Sequence, residues 1–495
     1  MCAMTHHRRT DLPPPPAVET GLACAGCGAL APAHHPFTPR CPNRRPGDDI
    51  DHVMARGIDL LRLDPPADPD PNPFVRYRAL FHAYHVARAA GWGDQRYLDL
   101  VRELDDAVAA VDGHGFRITP LVRSMRLAEE AELGPRGVVW VKDETGNVAG
   151  SHKARHLFGI LLELRVAEAQ GAADAAATLA IASCGNAALA AAVVARAAGR
   201  KLRVFVPTTA EPATVDRLRS LGAVVEACPR RGEEAGDPSY LRLQEALAKG
   251  AVPFTCQGPD NGLAIEGGAT LAWEIADALR AGGATIDRII VQVGGGALAS
   301  GIALGFDDAA AIGAIEAPPC LDTVQTRGGW PLLRAWERVL EDLGLVAGVA
   351  ADPDVLHEGL RRVANHRSRY MWPWETEPHS VAHGILDDET YDWLAVVRAM
   401  LATGGRAVVV GEDELLAANA LAHEATGIDA DETGTAGVAG LLALATEGAL
   451  RPGESVAVVM SGVRRTPPAP RSEPASQHSE PASPVKPKSP HRSTP

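Results

Sequence analysis

Short apolar runs alternate with amphipathic or alanine-rich helices along most of this chain, a pattern that restricts it to parallel sheets covered on both faces. Residues 138–142 read as a buried strand and 156–169 as a helix. The alternation continues with strand 178–182, helix 186–198, strand 202–206, helix 211–221 and strand 223–227. It resumes with helix 263–280, strand 288–293, a glycine loop, helix 297–306 and strand 312–315. Strand 406–410, helices 412–425 and 433–446, and strand 455–460 close it. The expected fold class is α/β, with two open, mostly parallel twisted-sheet subdomains and a small N-terminal cysteine-containing extension. The expected divisions are 1–55 (extension), 56–115 (helical segment), 116–250 and 251–465 (the two α/β subdomains), and 466–495 (tail). That tail is proline, serine and lysine with almost nothing apolar, so disorder is expected there.

The formal net charge of −14 argues against nucleic acid or an anionic membrane as partner. It does not exclude a small anion bound by backbone N–H groups. His6, His7, Arg8 and Arg9 are followed by prolines 13–16 rather than an apolar signal core, and no run is long enough to span a bilayer. A cytoplasmic location is therefore expected. The eight cysteines are mostly single residues in apolar segments, where a thiol is a small hydrophobe. Cys24, Cys27 and Cys41 differ: a C-x-x-C pair with a third cysteine beside Pro42 is half of a zinc ribbon. The fourth ligand is open among His34, His35 and His52.

Ligands of such folds bind on loops that leave the carboxyl ends of strands, and four loops here carry chemistry. Gly150-Ser151-His152-Lys153 places a lysine at a helix entrance, where the helix dipole favours a neutral, nucleophilic amine. Ser183-Cys184-Gly185-Asn186 offers amides and a hydroxyl to a carboxylate, or an N-cap for an alanine-rich helix. Gly294-Gly295-Gly296-Ala297-Leu298 lets backbone wrap a phosphate at a helix N-terminus. Ser461-Gly462 ends the last strand and presents a hydroxyl suited to a pyridine nitrogen. Read alone, Gly294-x-Gly296-x-x-Ala299 with Glu316 also fits a dinucleotide fingerprint, so an NAD-dependent dehydrogenase is an alternative. The set of four decides otherwise. Pyridoxal phosphate needs an amine for its aldehyde, a donor for O3′, a cradle for phosphate and a partner for N1.

These motifs resemble the fold-type II pyridoxal-phosphate family, which includes threonine synthase, threonine and serine dehydratases, cysteine synthase and the tryptophan synthase β subunit. Thr119-Pro120-Leu121, Lys142-Asp143-Glu144, Gly150 to Lys153, Asn261-Gly262 and Glu266-Gly267 with Thr270 occur in the family's order. The resemblance implies pyridoxal 5'-phosphate between the two subdomains, with Lys153 as Schiff-base lysine and general base. It implies Asn186 at O3′, Gly294 to Leu298 at the phosphate, and Ser461 at N1. Ser151 and the loop Ser183, Cys184 and Gly185 would take the substrate carboxylate. The implied reaction is elimination or replacement at Cβ or Cγ of a small amino acid by a homodimer, threonine synthase-like or dehydratase-like. A catalytically silent binding relative is a further alternative. Lys142, Arg155 and Arg464 are candidates for holding a substrate phosphate, and the aromatics at 370–374 with Trp393 for a lid or an inter-lobe packing layer.

Overall fold

The computed structural model describes residues 14–31, 37–234 and 236–465. His34, His35 and the tail 466–495 lie outside the described residues. β1 (Thr20–Cys24) and β2 (Met54–Ile58) pair antiparallel as a ribbon of the extension. The chain then forms β3 (Leu121–Arg123), β4 (Val138–Asp143), β5 (Leu179–Ala182), β6 (Leu202–Val206), β7 (Val224–Ala227) and β8 (Val252–Pro253). β9 (Arg288–Gln292), β10 (Cys320–Thr326), β11 (Ala407–Val410) and β12 (Ser455–Met460) follow.

Two sheets result. One has four parallel strands in the order β7-β6-β5-β8; the other has six, β11-β10-β9-β12-β4-β3, with only β3 antiparallel. The expected α/β class is what the chain adopts. Sheet membership does not follow the linear division at 116–250, because β3 and β4 pair into the sheet built mainly from C-terminal strands. The chain crosses to the smaller sheet only after the helix Lys153–Ala169.

The apolar run 312–315 is not a strand. The helix Ala297–Ala311 ends there, with Gly313 in the left-handed region at φ 71° and the Ala314 amide bonding back to the Ala309 carbonyl. The third strand of this region is β10 instead. Five helices without an expected counterpart are Met125–Glu130, Pro238–Ala248, Pro331–Leu343, Pro353–Ala364 and Trp393–Thr403. Two of them carry an aspartate cap followed by proline. Asp237 accepts from the Ser239 and Tyr240 amides, and Asp352 from Asp354 and Val355. The aromatic group packs rather than covers an opening: Tyr370 stacks on fully buried Trp393 at 5.9 Å, and Arg334 lies 3.7 Å over Trp372.

Where the helices Lys153–Ala169 and Ala264–Ala281 cross, side chains are excluded. A Cβ on Gly267 would come within 2.1 Å of the Arg155 carbonyl oxygen, and one on Gly268 within 2.2 Å of the His156 ring. Next to this crossing lies a buried ionic cluster. Arg155 grips Glu144 through Nε (2.8 Å) and Nη2 (2.9 Å) and reaches Glu274 through Nη1 (2.5 Å). Lys142 Nζ donates to Glu274 (2.6 Å) and to the Thr119 carbonyl (2.7 Å). Burial works against ionisation of Glu274, but Arg155 and then Lys142 outweigh it and hold its carboxyl below the usual range. Lys142 and Arg155 are thus engaged in the interior, and neither is free to hold a substrate phosphate. Glu274→Ala would take from buried Lys142 its carboxylate partner and leave Arg155 with Glu144 alone, and should cost about 3–5 kcal/mol in urea unfolding; a loss under about 1 kcal/mol would show the cluster to be dispensable.

Candidate active site

β4, β12 and β9 are neighbours in the larger sheet and run parallel, so their carboxyl ends lie side by side. β4 leads through a short loop to Lys153, β12 leads directly to Ser461, and β9 leads to Gly294. Adjacency in the sheet therefore brings three of the four loops together. The fourth, after β5 of the smaller sheet, meets them from the other side. Asn186 Nδ2 lies 3.0 Å from where a Cβ on Gly462 would stand.

The lysine loop is held at several points. Asn147 Nδ2 bridges Glu144 and the Ser151 carbonyl, each at 3.1 Å, and the Ala149 amide donates to Asp112 at 2.9 Å. Ala149 takes the left-handed φ of 55°, a strained state for a residue with a Cβ that such bonds stabilise. Lys153 is the first residue of its helix, half-buried. Ser151 is buried, its Oγ accepting the Lys153 amide at 3.4 Å. Ser461 Oγ accepts the His152 amide at 3.0 Å and lies 2.6 Å from His152 Nδ1. Burial, with the charge of Lys153 adding to it, holds the His152 imidazole well below its usual range, so this ring is neutral.

The glycine turn opens the helix Ala297–Ala311, and Gly296 has the left-handed φ of 96° that its turn requires. Ala297 and Leu298 are buried in the first helical turn. A segment that sequence reading missed lies over this turn. Thr390 Oγ1 donates to the Gly294 carbonyl (2.9 Å), and the Asp392 amide donates to the Gly295 carbonyl (2.9 Å). The half-buried Asp387 carboxyl lies beside the turn and the Gly295 amide, its Oδ2 2.5 Å from where a Cβ on Gly294 would stand. Burial pushes its carboxyl up to about 6, while Lys153 and that amide pull the other way. The acidic run 387–389 was visible in the sequence, but nothing in its spacing linked it to residues some 90 positions earlier. Ser183 and Asn186 are half-buried and Cys184 and Gly185 exposed, so the β5 loop keeps an open rim.

Comparison with known proteins bears directly on this arrangement. Residues 114–462 match the family described as pyridoxal-phosphate dependent enzyme. The chain belongs to that family. It is similar to the threonine synthase of Methanocaldococcus jannaschii, 25% identical over 373 residues that cover 75% of this chain and 80% of that protein. It is also similar to a biosynthetic L-threonine dehydratase of Haemophilus influenzae, 29% identical over 188 residues, 38% of this chain but only 33% of the dehydratase. This family member therefore matches about a third of that relative's length. Among solved structures, processed threonine deaminase isoform 2 from Solanum lycopersicum superposes with TM-score 0.52 at 20% identity, over 75% of this chain and 91% of the deaminase. That likeness is one of fold.

The residues of this pyridoxal-phosphate-dependent enzyme fit its cofactor. The glycine turn is a cradle that a side chain would fill: a Cβ on Gly294 would come within 2.5 Å of the Asp387 carboxylate and 2.9 Å of the Ile385 Cα. His152 Nε2 is buried with no hydrogen-bond partner, so a polar group could be added beside it at little cost. Against the dehydrogenase alternative, Glu316 is exposed in a bend and does not end a strand as a ribose-binding acid would.

The raised carboxyl of Asp387 fixes a sign. Its neutral form is the one the fold favours, so its contribution is full below the unfolded carboxylate value and is lost as pH climbs through about 6. Asp387→Asn should therefore raise the thermal midpoint more at about pH 8 than at about pH 5. Calorimetry showing the same increment at both pH values would contradict this.

Proposed function

We propose that this chain binds pyridoxal 5'-phosphate through Lys153 and catalyses elimination or replacement at Cβ or Cγ of a small amino acid. The observation that carries the reading is the meeting of Lys153, Ser461 and the glycine turn at the ends of three adjacent parallel strands. When bound there, the cofactor supplies a sink for the electrons released when the Cα proton is removed. The Lys153 amine would hold the cofactor and would be the base that moves the proton at Cα. Amides of Gly294, Gly295, Gly296, Ala297 and Leu298 would hold the phosphate. Asn186 donates toward O3′. Ser183, Cys184 and Gly185, with Ser151 beneath, orient the substrate carboxylate.

Ser461 sets the reaction class. Its hydroxyl would serve N1, and the group behind it is the neutral His152, so this side of the site would offer a hydrogen bond and no proton. A weakened electron sink favours expulsion of a leaving group over transamination. With Lys142 and Arg155 both engaged in ion pairs, the favoured reading is dehydratase-like elimination on a small hydroxy amino acid. The second reading is threonine synthase-like replacement with phosphate as leaving group, supported by the relative that matches most of both chains. We place the enzyme in the cytoplasm as a homodimer.

Lys153→Ala should lose turnover and the visible absorbance of the bound cofactor together; a coloured, active variant would remove Lys153 from its role. An amino-acid panel scored for keto acid, ammonia and phosphate separates the two readings, keto acid with ammonia and no phosphate being the expected outcome. In Ser461→Asp, transamination side products should rise, and unchanged product partitioning would remove Ser461 from N1.

A further inference from the structure

Far along the chain from Lys153, the N-terminal extension gathers four metal-ligating side chains. We propose that Cys24, Cys27, Cys41 and His52 form a closed, structural zinc site, with His52 as the fourth ligand and Asp48 fixing its ring. Their ligand atoms all lie within 4.8 Å of one another. Cys27 Sγ is 3.6 Å from Cys41 Sγ, and Cys24 Sγ is 3.4 Å from His52 Nδ1. Zinc with Zn–S about 2.3 Å and Zn–N about 2.0 Å would set tetrahedral edges of about 3.8 Å between sulfurs and about 3.5 Å between sulfur and nitrogen. The two observed separations sit close to those edges. A sulfur pair at 3.6 Å is also well beyond a disulfide, and all three thiols are free.

The surrounding backbone has the form of a metal knuckle. The Cys27 amide points at Cys24 Sγ at 3.5 Å, and the Gly28 amide closes the turn on the Cys24 carbonyl at 2.9 Å, with Gly28 at φ 72°. A Cβ on Gly26 would stand 2.2 Å from the Asp51 carbonyl oxygen, so only glycine lets this turn lie against the segment that carries His52. The other ring nitrogen of His52 meets Asp48 Oδ2 at 3.2 Å. A carboxylate on Nε2 selects the tautomer that leaves Nδ1 as a ligand, the usual support of a metal-bound histidine. With three thiolates and an imidazole and no open position, the site is suited to zinc and to a structural role.

Its place in the fold says what it would hold. The Pro39 carbonyl accepts the Gly262 amide, and a Cβ on Gly262 would stand 1.9 Å from the Met54 carbonyl oxygen, so the knuckle seats on the entrance of the helix Ala264–Ala281. One residue before His52, Asp51 accepts from Trp393 Nε1 at 3.1 Å and Arg367 Nε at 3.3 Å. Without a metal, the apolar residues around the knuckle, among them Leu22, Met54 and Leu263, would share the task with these hydrogen bonds and with the ion pairs of Arg56 to Glu266 and Asp308.

The test is elemental analysis of the full-length chain grown with zinc and washed with a mild chelator. About one zinc per chain is expected, and X-ray absorption at the zinc edge should report three sulfurs near about 2.3 Å and one nitrogen near about 2.0 Å. Cys27→Ser/Cys41→Ser should lose the zinc, and His52→Ala should lose it or hold it far more weakly. Wild-type protein without stoichiometric metal, an edge dominated by oxygen ligands, or thiols trapped as a Cys27–Cys41 disulfide would each overturn the site. Full zinc retention by His52→Ala would overturn the assignment of the fourth ligand. Because the absorption measurement uses wild-type protein, the site stays testable even if a variant fails to fold.

Discussion

The buried cluster of Arg155, Glu144, Glu274 and Lys142 is the constraint on which the site's geometry depends. Two cations and two carboxylates sit almost fully shielded from water, a costly arrangement in which each charge is tolerable only because the others are in place. The four residues come from one strand, the loop that follows it, the lysine helix and the helix Ala264–Ala281. Satisfying the cluster therefore fixes all of these elements against one another. Arg155 is two residues after Lys153, and two residues turn a helix by about 200°. Drawing Arg155 into the interior thus turns Lys153 toward the opposite, open side.

The sheet does the rest of the positioning. Parallel neighbours have their carboxyl ends on one edge, so the order β9-β12-β4 converts sequence separations of more than 150 residues into adjacent loops. The glycines at 267 and 268 allow the lysine helix to approach the central helix closely. Gly301 and Gly305 do the same for the helix behind the glycine turn, where a Cβ on Gly305 would stand 2.5 Å from the Ala269 carbonyl oxygen. Three helices thus converge on one crossing with little more than backbone between them. The loops they carry inherit that rigidity.

Much of this was legible in the sequence, for a physical reason. Strands such as β5 and β9 are buried on both faces and read as apolar runs, and glycine turns between strand and helix are conspicuous. β10 was not legible because its interior positions are polar. Asp322, Thr323 and Gln325 are buried but matched by partners outside the strand, Asp322 by Arg288 on the neighbouring strand and Gln325 by the amides of Leu332 and Leu333 at the start of the next helix. Hydropathy cannot find such a strand. The same blindness made Lys142 and Arg155 look like phosphate ligands, since Glu274 lies 132 and 119 residues away from them. The helices at 238 and 353 were readable in their Asp-Pro starts, a signal that periodicity alone passed over.

An acidic chain that is to hold an anion must build the site without a field of positive charge. On the proposed reading this one uses backbone amides, with Lys153 the cation whose charge reaches them. Asp387 follows from that choice. The carboxyl of the covering segment lies beside the Gly295 amide, which needs an acceptor where it is buried. Burial already disfavours its charge, as its value of about 6 records, so it is a weakly held anion that a phosphate with more acceptor oxygens can displace. On that reading the covering segment lies against the Gly295 amide without the cofactor and would yield it when the cofactor binds.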